Sequence, residues 1–445
     1  MTASSLSPRG PAPHAQGPPV AAVPAIPAEP PRPSARARDD DERALNLLTG
    51  PEAGEILAAA LRPDGAELVS WHLDAVHHRP GAGVTVGFDV AHRAPTGAEG
   101  RDYLCLSTAR LTSDARRQGG YLTLDDGDAK VVAWRHPHDP ELPALAAACM
   151  PVGASVVLRA ADVEVGEDLA LELVAYRPTR RAVVRLRAAG VTWYLKVLRP
   201  RHLVDVHARH VQLREAGVPV PPVRLADATG MLLLEELPGE PLAEHLAADG
   251  ARSLDPARLV GVLDSLPASL LDLDPRPAWA DRAAFYGHGA AAVLPDRAEE
   301  IGRLVRRIEH ALAVSDPGPL VPTHGDFYEA QLLLGAGGRT VSGVLDVDTA
   351  GPGRRVDDLA CALGHLAVLP SLAPDVYPHV PSALGRWYRA FATGVDRRAL
   401  QARVAGVVLS LVAGGAPDGL AAIRLGIASA WADASERPEG PIPGA

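Results

Sequence analysis

Apolar residues alternate with polar ones in the first half of the chain and recur at helical spacing in the second half. Alternation predicts strands, and clusters of turn residues predict short connections between them. Strands are predicted at residues 66–76, 83–93, 102–111 and 119–135, with a hairpin turn at 125–129 and a closing helix at 140–150. These elements indicate a small antiparallel β-rich unit.

A second β-rich unit follows, and a series of helices follows it. Its strands are predicted at residues 155–160, 169–176, 181–188, 191–198 and 231–237, with a helix at 203–217. Helical spacing then covers residues 256–273, 296–314, 357–369, 398–414 and 419–434. This order predicts an α+β fold with a β-rich N-terminal part and a mostly helical C-terminal lobe.

Composition narrows the class of protein. The chain has 445 residues and a net charge of −10 without a block of basic residues, so we expect no nucleic-acid partner. No apolar run reaches the ~20 residues that span a bilayer, and the N-terminus lacks the apolar segment of a secretion signal. The three cysteines form no CxxC pair, which favours the reducing cytoplasm. The oligomeric state stays open, and a monomer is compatible with these features.

Both ends of the chain differ from the rest. Ten of the 42 prolines lie in residues 1–36, a segment without apolar periodicity. Such a composition cannot bury enough surface to offset chain entropy, so a disordered tail is predicted over residues 1–40. A short flexible C-terminus is predicted over residues 436–445.

Residues 321–353 interrupt the helical half with a predicted β-hairpin. Antiparallel pairing places residues at matching distances from the turn side by side. Gln331 and Asp346 lie at nearly matching distances, and Asp326 precedes them in the loop that leads into the hairpin. Three oxygen-bearing side chains are therefore expected at one end of a small sheet.

This set of side chains suits phosphoryl transfer. Mg²⁺ prefers hard oxygen ligands, which the Asp346 carboxylate and the Gln331 amide can supply. Asp326 then remains free to orient a hydroxyl group and accept its proton.

The same residues resemble a known family. The sequence HGD at 324–326 with Gln331 resembles the catalytic loop of aminoglycoside phosphotransferases and choline-kinase-like enzymes, and LDVD at 345–348 resembles their metal-binding segment. The resemblance covers residues 170–435. Most members carry Asn where this chain has Gln331. Gln331 together with a second acid, Asp348, is more similar to the pattern of actinobacterial maltokinases and glucosamine kinases, which carry a β-rich N-terminal cap.

The resemblance implies a bilobal, protein-kinase-like fold behind such a cap. The cap would comprise residues 41–165, the N-lobe and hinge residues 166–240, and the helical C-lobe with the catalytic loop residues 241–435. ATP and Mg²⁺ are the implied cofactors. Asp326 would be the catalytic base, and the metal ligands would be Gln331, Asp346 and Asp348.

The β-rich lobe must then bind ATP. Lys196, one of only two lysines in the chain, lies in a predicted strand where such a fold needs a lysine for the α- and β-phosphates. Backbone groups from Glu235 to Leu237 would meet the adenine. The acidic partner of Lys196 is either Asp205 or Glu215, and we favour Asp205.

Two further features allow alternative interpretations. No GxGxxG sequence precedes Lys196, and the turn at 176–181 instead offers arginines that either contact phosphate or form a solvated basic turn. Near the C-terminus, Trp431 and Asp433 either contact a sugar or belong to ordinary packing, which we favour.

The predicted function is transfer of the γ-phosphate of ATP to a hydroxyl of a small polar acceptor, a sugar or amino sugar similar to glucosamine or maltose. One alternative is an aminoglycoside or amino-alcohol phosphotransferase. Another is a non-catalytic pseudokinase that binds a nucleotide or a partner. The sequence does not identify the acceptor or the hydroxyl that is phosphorylated.

Overall fold

The computed structural model describes residues 35–79, 83–125, 130–166, 168–414 and 419–444. Most of the predicted tail and most of the predicted turn at 125–129 lie outside these ranges. Helix α1 begins at Ala35, so the end of the segment that was expected to be a tail is helical. The helix forms because Ala44 and Leu48 give it an apolar side, which is buried against the first sheet.

The first unit is an antiparallel sheet covered by two helices. Its strands have the order β1-β2-β3-β5-β4, and Leu48 and Leu57 from the helices pack with Val86 and Phe88 of the sheet. The elements are α1 (Ala35–Thr49), α2 (Glu52–Leu61), β1 (Glu67–Arg79), β2 (Gly83–Arg93), β3 (Glu99–Ser107), α3 (Ser113–Gln118), β4 (Leu122–Asp125) and β5 (Lys130–Arg135).

The strand predicted at 155–160 is wrong, because this segment belongs to a helix. After the short helix α4 (Leu145–Ala148), α5 (Pro151–Ala160) begins with a proline in its first turn and buries Ala154, Val157 and Leu158 on one side. Valine favours strands in general, but apolar residues at helical spacing can pack here against the second sheet.

The second unit is another antiparallel sheet, with the order β6-β7-β8-β10-β9. Its strands include β9, which the sequence analysis did not predict. The elements are β6 (Ala170–Arg177), β7 (Arg181–Ala188), β8 (Val191–Leu198), α6 (Pro200–Glu215), β9 (Val223–Asp227) and β10 (Met231–Glu235).

The C-terminal lobe is mostly helical and surrounds α13, a helix with buried residues on all sides. Helices α7, α9 and α12 were not predicted. The elements are β11 (Glu240–Pro241), α7 (Leu242–Asp249), α8 (Ala257–Asp264), α9 (Ala283–Val293), α10 (Ala298–Ala313), β12 (Leu320–Thr323), β13 (Leu332–Leu334), β14 (Val341–Val344), β15 (Gly351–Arg354), α11 (Arg355–Leu372), α12 (Val380–Phe391), α13 (Arg397–Ala413) and α14 (Leu420–Glu436).

These elements confirm the predicted α+β class, with a β-rich N-terminal part and a mostly helical C-terminal lobe. None of the helices in the described ranges is long and apolar enough to cross a membrane.

Candidate active site

The predicted hairpin forms, and Asp346, shortly after its second strand, has a left-handed backbone conformation. Strands β13 and β14 pair antiparallel with Leu332 opposite Val344, and the Leu345 N–H donates to the Gln331 carbonyl at 2.8 Å. Asp346 follows with φ 51° and ψ 51°. Aspartate is among the few residue types besides glycine that adopt this conformation readily. The strand therefore ends there, and the Asp346 carboxylate reaches the β6–β10 sheet.

Two cations of that sheet contact the carboxylates after the hairpin. The Lys196 Nζ donates to Oδ1 of Asp346 at 2.9 Å and to Oδ1 of Asp348 at 2.7 Å. Arg181 contacts both carboxylate oxygens of Asp346, at 2.9 and 2.8 Å. This cluster joins the two lobes through groups about 150 residues apart in the chain.

The charges shift one another's protonation. Burial would lower the pKa of Lys196, but the carboxylates of Asp348 and Asp346 outweigh burial and raise this pKa above its ordinary value. Burial would raise the pKa of Asp346, but Lys196 and Arg181 hold it well below its usual range. Lys196 and Asp346 are therefore both charged at neutral pH.

The side chains on either side of the hairpin fit a magnesium ion. One ammonium contacts an oxygen of each aspartate, so a single cation can reach both Asp346 and Asp348. The Gln331 side chain is buried, and within the described ranges its amide has no hydrogen-bond partner. Carboxylate and amide oxygens are ligands that Mg²⁺ prefers.

The loop that carries Asp326 is held by the helix and the turn around it. The Asp358 carboxylate accepts hydrogen bonds from the His324 and Gly325 N–H groups, both at 2.8 Å. The His324 Nε2 donates to the Leu345 carbonyl at 2.9 Å, which fixes the loop to the residue before Asp346. Asp358 at the start of α11 thus braces the loop that carries Asp326.

Glycine is required at position 325. Its φ is +82°, and a Cβ atom there would lie 2.9 Å from the Thr349 carbonyl oxygen. The Thr349 hydroxyl also donates to the His324 carbonyl at 2.9 Å. The loop and the turn after Asp346 are therefore in backbone contact, which only the smallest residue permits.

The Asp326 carboxylate has few partners. Among the described residues, no cationic side chain lies within ion-pair distance of it, and the Cys361 thiol donates to it at 3.9 Å. The ligand atoms of Asp326, Cys361 and His365 lie within 4.8 Å of one another. Burial and the negative charge of Asp346 raise the pKa of Asp326 to about 6. A carboxylate of this kind can accept a proton near neutral pH.

A family model decides the relationship. The phosphotransferase enzyme family model, APH, matches residues 174–400, which include the lysine strand, the loop at 324–326 and the hairpin. The chain belongs to this family. No curated protein matches the phosphotransferase.

Several solved structures are similar to it. The ethanolamine kinase of Plasmodium vivax is 12% identical, with 62% of this chain and 88% of that chain covered and a TM-score of 0.43. A macrolide 2'-phosphotransferase from Brachybacterium faecium is 20% identical, with 65% and 97% covered and a TM-score of 0.37. An aminoglycoside phosphotransferase from Streptomyces rimosus, solved with ADP and streptomycin, is 22% identical, with 59% and 99% covered and a TM-score of 0.39.

The predicted hinge residues of the phosphotransferase have contacts within the protein. The Glu235 N–H donates to the Pro222 carbonyl at 3.0 Å, so this donor already has a partner within the protein. Leu237 lies beside the catalytic hairpin, because a Cβ atom at Gly343 would lie 3.0 Å from its Cδ1. The hinge thus packs on the hairpin, and its role towards adenine stays a prediction.

The predicted acidic partner of Lys196 is wrong. Neither Asp205 nor Glu215 contacts Lys196, whose partners are Asp346 and Asp348. Both of the predicted acids are exposed side chains of α6. Counting residues from Lys196 could not identify these partners, because they lie in the other lobe.

The turn after β6 is held by the cap, which the sequence analysis missed. The Asp139 carboxylate accepts hydrogen bonds from the Thr179 N–H and the Tyr176 hydroxyl, both at 2.7 Å. The turn leads directly into Arg181, so the cap fixes the backbone that positions this arginine. Asp139 lies after two histidines and between two prolines, which indicates only a turn in the sequence.

Trp431 and Asp433 belong to ordinary packing, as we favoured. The Trp431 ring is buried against Tyr388, with ring centroids 5.9 Å apart. Asp433 forms an ion pair with Arg307 on α10.

Proposed function

We propose that the phosphotransferase transfers the γ-phosphate of ATP to a hydroxyl group of a sugar or amino sugar. The observation that carries this proposal is the Asp326 carboxylate. It has no cationic partner within the described ranges, and its pKa is raised to about 6. It lies in one cleft with Asp348 and with the arginine turn, which comprises residues 176–181. In this arrangement Asp326 is available to accept a proton. The two cation-bound carboxylates, Asp346 and Asp348, are suited to the phosphate side of the reaction.

In this proposal Asp326 orients the acceptor hydroxyl and accepts its proton. Asp346, Asp348 and the Gln331 amide would hold Mg²⁺, which when bound neutralises phosphate charge and fixes the phosphate geometry. Lys196 and Arg181 would exchange part of their contacts with the aspartates for contacts with phosphate oxygens. Backbone groups between Glu235 and Leu237 would contact the adenine.

We assign the reaction to the cytoplasm, where ATP is available and where free thiols persist. Cys105, Cys149 and Cys361 are all free.

An acceptor panel tests the proposal. ATP consumption and phosphorylated product are measured with sugars, amino sugars, aminoglycosides and amino alcohols, with Asp326→Asn as the matched inactive control. Product from a sugar or amino sugar that disappears in the variant supports the proposal. Product from aminoglycosides or amino alcohols alone replaces the acceptor class, and nucleotide binding without any product supports a pseudokinase.

A further inference from the structure

The active-site cleft has a cationic and aromatic wall opposite the hairpin. The cleft has a volume of about 540 Å³ and lies between the arginine turn, α6, the catalytic loop and the segment 276–286. In that segment the Arg282 guanidinium lies 4.4 Å from the centre of the Phe285 ring and 5.0 Å from that of Tyr286. Trp279 lies beside Tyr286, with ring centroids 5.8 Å apart. The rings hold the Arg282 side chain in place without neutralising it.

Three of the five carboxylates that line the cleft already have partners. Asp348 contacts Lys196, and Asp357 contacts Arg403. Asp358 accepts two backbone N–H groups of the catalytic loop. None of these three carboxylates needs a further arginine.

Three arginines that line the cleft lack an anionic partner. Arg177, Arg276 and Arg282 have no carboxylate within 4 Å among the described residues, and the Nε of Arg282 is buried without a hydrogen-bond partner. A buried guanidinium N–H without an acceptor is costly, so this group is arranged for an acceptor that the protein does not supply.

Arg177 connects this wall to the catalytic loop. Burial and the neighbouring Arg181 lower the pKa of Arg177, while the hydroxyl of Tyr286 and the carboxylate of Asp326 counteract them. Arg177 lines the same cleft as Asp326 and Tyr286. An anion bound at Arg177 and Arg282 would therefore lie in the same cleft as Asp326.

We infer that the acceptor carries an anionic group, a carboxylate or a phosphate, which Arg177 and Arg282 bind while a neighbouring hydroxyl faces Asp326. This inference rests on the proposed function and names its acceptor class: an acidic sugar, whose ring faces Trp279. It disfavours an amino sugar, because an ammonium group on this wall would face like charges. A carboxylate and a phosphate each present two oxygen atoms that the paired N–H groups of a guanidinium can bind.

The transfer step balances without another reactant. The acceptor oxygen forms a bond to the γ-phosphorus, and its proton goes to Asp326. The bond between the γ-phosphorus and the bridging oxygen breaks, and its electron pair leaves with ADP. The anionic group of the acceptor only binds and takes no part in these bond changes.

One hexose ring with four charge states tests the inference. The acceptors are glucose, glucosamine, glucuronate and glucose 6-phosphate, each with saturating ATP and Mg²⁺. We expect kcat/KM for at least one of the two anions to exceed that for glucose by about tenfold or more, and glucosamine to be the poorest. The two anions compared with each other show whether the site prefers carboxylate or phosphate.

Variants assign the preference to the arginines. Arg282→Gln is expected to raise KM for the anionic acceptor by about tenfold, to leave KM for glucose nearly unchanged, and to leave KM for ATP within about twofold. Arg177→Gln should act in the same direction, and it serves if Arg282→Gln folds poorly. Arg306→Gln is the control, because Arg306 is an exposed arginine on α10 outside the cleft.

The outcomes separate this inference from the proposed function. Glucose or glucosamine as the best acceptor overturns the inference and leaves the proposed function standing. A rise in KM for ATP without a change in acceptor KM also overturns it, because the arginines then bind the nucleotide. No product from any of the four sugars, together with product from an aminoglycoside or amino alcohol, overturns the proposed function itself.

Discussion

The two N-terminal sheets have the same strand order, β1-β2-β3-β5-β4 in the cap and β6-β7-β8-β10-β9 in the N-lobe, and a helix follows the third strand in both. Each sheet contains one of the two lysines of the chain. Lys130 is an exposed residue of β5, whereas Lys196 in β8 is 7% exposed and contacts two aspartates of the other lobe. The strand order by itself therefore does not bring a lysine to the carboxylates after the hairpin. The contact between the third strand of the N-lobe sheet and the C-terminal lobe makes the difference.

The helices after the third strands explain why only one sheet makes this contact. In the cap, α3 has 6 residues, whereas α6 in the N-lobe has 16. The longer helix reaches the turn after the hairpin, where the Arg209 Nε donates to the Ala350 carbonyl at 2.8 Å. The N-lobe sheet is thereby fixed with Lys196 against Asp346 and Asp348. The cap instead contributes Asp139, which holds the turn after β6.

The largest effect is expected from substitution of Asp326, the residue that we propose accepts the proton of the acceptor hydroxyl. Asp326→Asn keeps the shape of the side chain and removes the proton acceptor, so kcat should fall by about 10²–10⁴-fold. In the wild type, only the ionised carboxylate can accept the proton, so kcat/KM should rise with pH through a pKa near 6. Steady-state rates from about pH 4 to about pH 8, two units on either side of this pKa, measure both quantities.

Nucleotide binding serves as the control for Asp326→Asn. Titration calorimetry with a non-hydrolysable ATP analogue should give nearly unchanged affinity, because the phosphate-side groups are intact. Full activity in the variant would remove Asp326 from the mechanism, and lost nucleotide binding would make it a structural residue.

The two lysines test the comparison of the sheets directly. Lys196→Met should lower kcat/KM for ATP by about 10²–10³-fold, because it removes the charge closest to the phosphate-side aspartates. Lys130→Met should leave kcat/KM unchanged, because Lys130 is exposed and remote from the hairpin. Initial rates at varied ATP measure both variants. Equal losses in the two variants would break the comparison, because the cap would then belong to the nucleotide site.

A smaller effect is expected from the cap residue that holds the arginine turn. Asp139→Ala removes the acceptor for the Thr179 N–H and the Tyr176 hydroxyl, at a cost of about 1–3 kcal/mol to the ordered turn. We expect KM for ATP to rise by roughly tenfold with little change in the acceptor KM. Asp89→Ala, which removes an exposed acid of the cap strand β2, is the matched control. Unchanged ATP kinetics in Asp139→Ala would mean that the cap does not position Arg181.

The smallest effect concerns stability, and its sign depends on pH. The pKa of Asp326 is raised from the ordinary 3.8 to about 6, so the folded protein holds this proton more tightly than the unfolded chain. The contribution of Asp326 to folding therefore falls as pH rises between these two values. Asp326→Asn should be more stable than the wild type by about 1–3 kcal/mol at pH 8, and should show no gain near pH 3.

Urea unfolding of both proteins at the two pH values measures this difference. Asp358, whose pKa burial raises to about 7, is present in both proteins and cancels in the comparison. An equal gain at both pH values would show that Asn packs better and that no proton is involved.

The sequence predicted local features of the site better than distant ones. The pairing around Gln331 follows from a hairpin of a few residues, so counting from the turn was sufficient. The partners of Lys196 lie 150 and 152 residues away, and no local pattern encodes that distance. Asp139 was missed for the same reason, because its partners belong to another sheet.

Local preference was also misleading in a stretch of valines. Residues 155–160 were predicted as a strand, but Pro151 starts a helix and Val157 is buried against the second sheet. The packing opportunity outweighed the preference of valine for strands.

The left-handed backbone of Asp346 restricts how this enzyme can lose its activity in evolution. Most substitutions at this position combine loss of the carboxylate with backbone strain, so they damage folding and catalysis together. Asn and Gly are the exceptions, because both adopt the conformation at little cost. A duplicated copy that drifted into a purely binding role while staying folded would therefore be expected to carry Asn or Gly at position 346, with the hairpin intact.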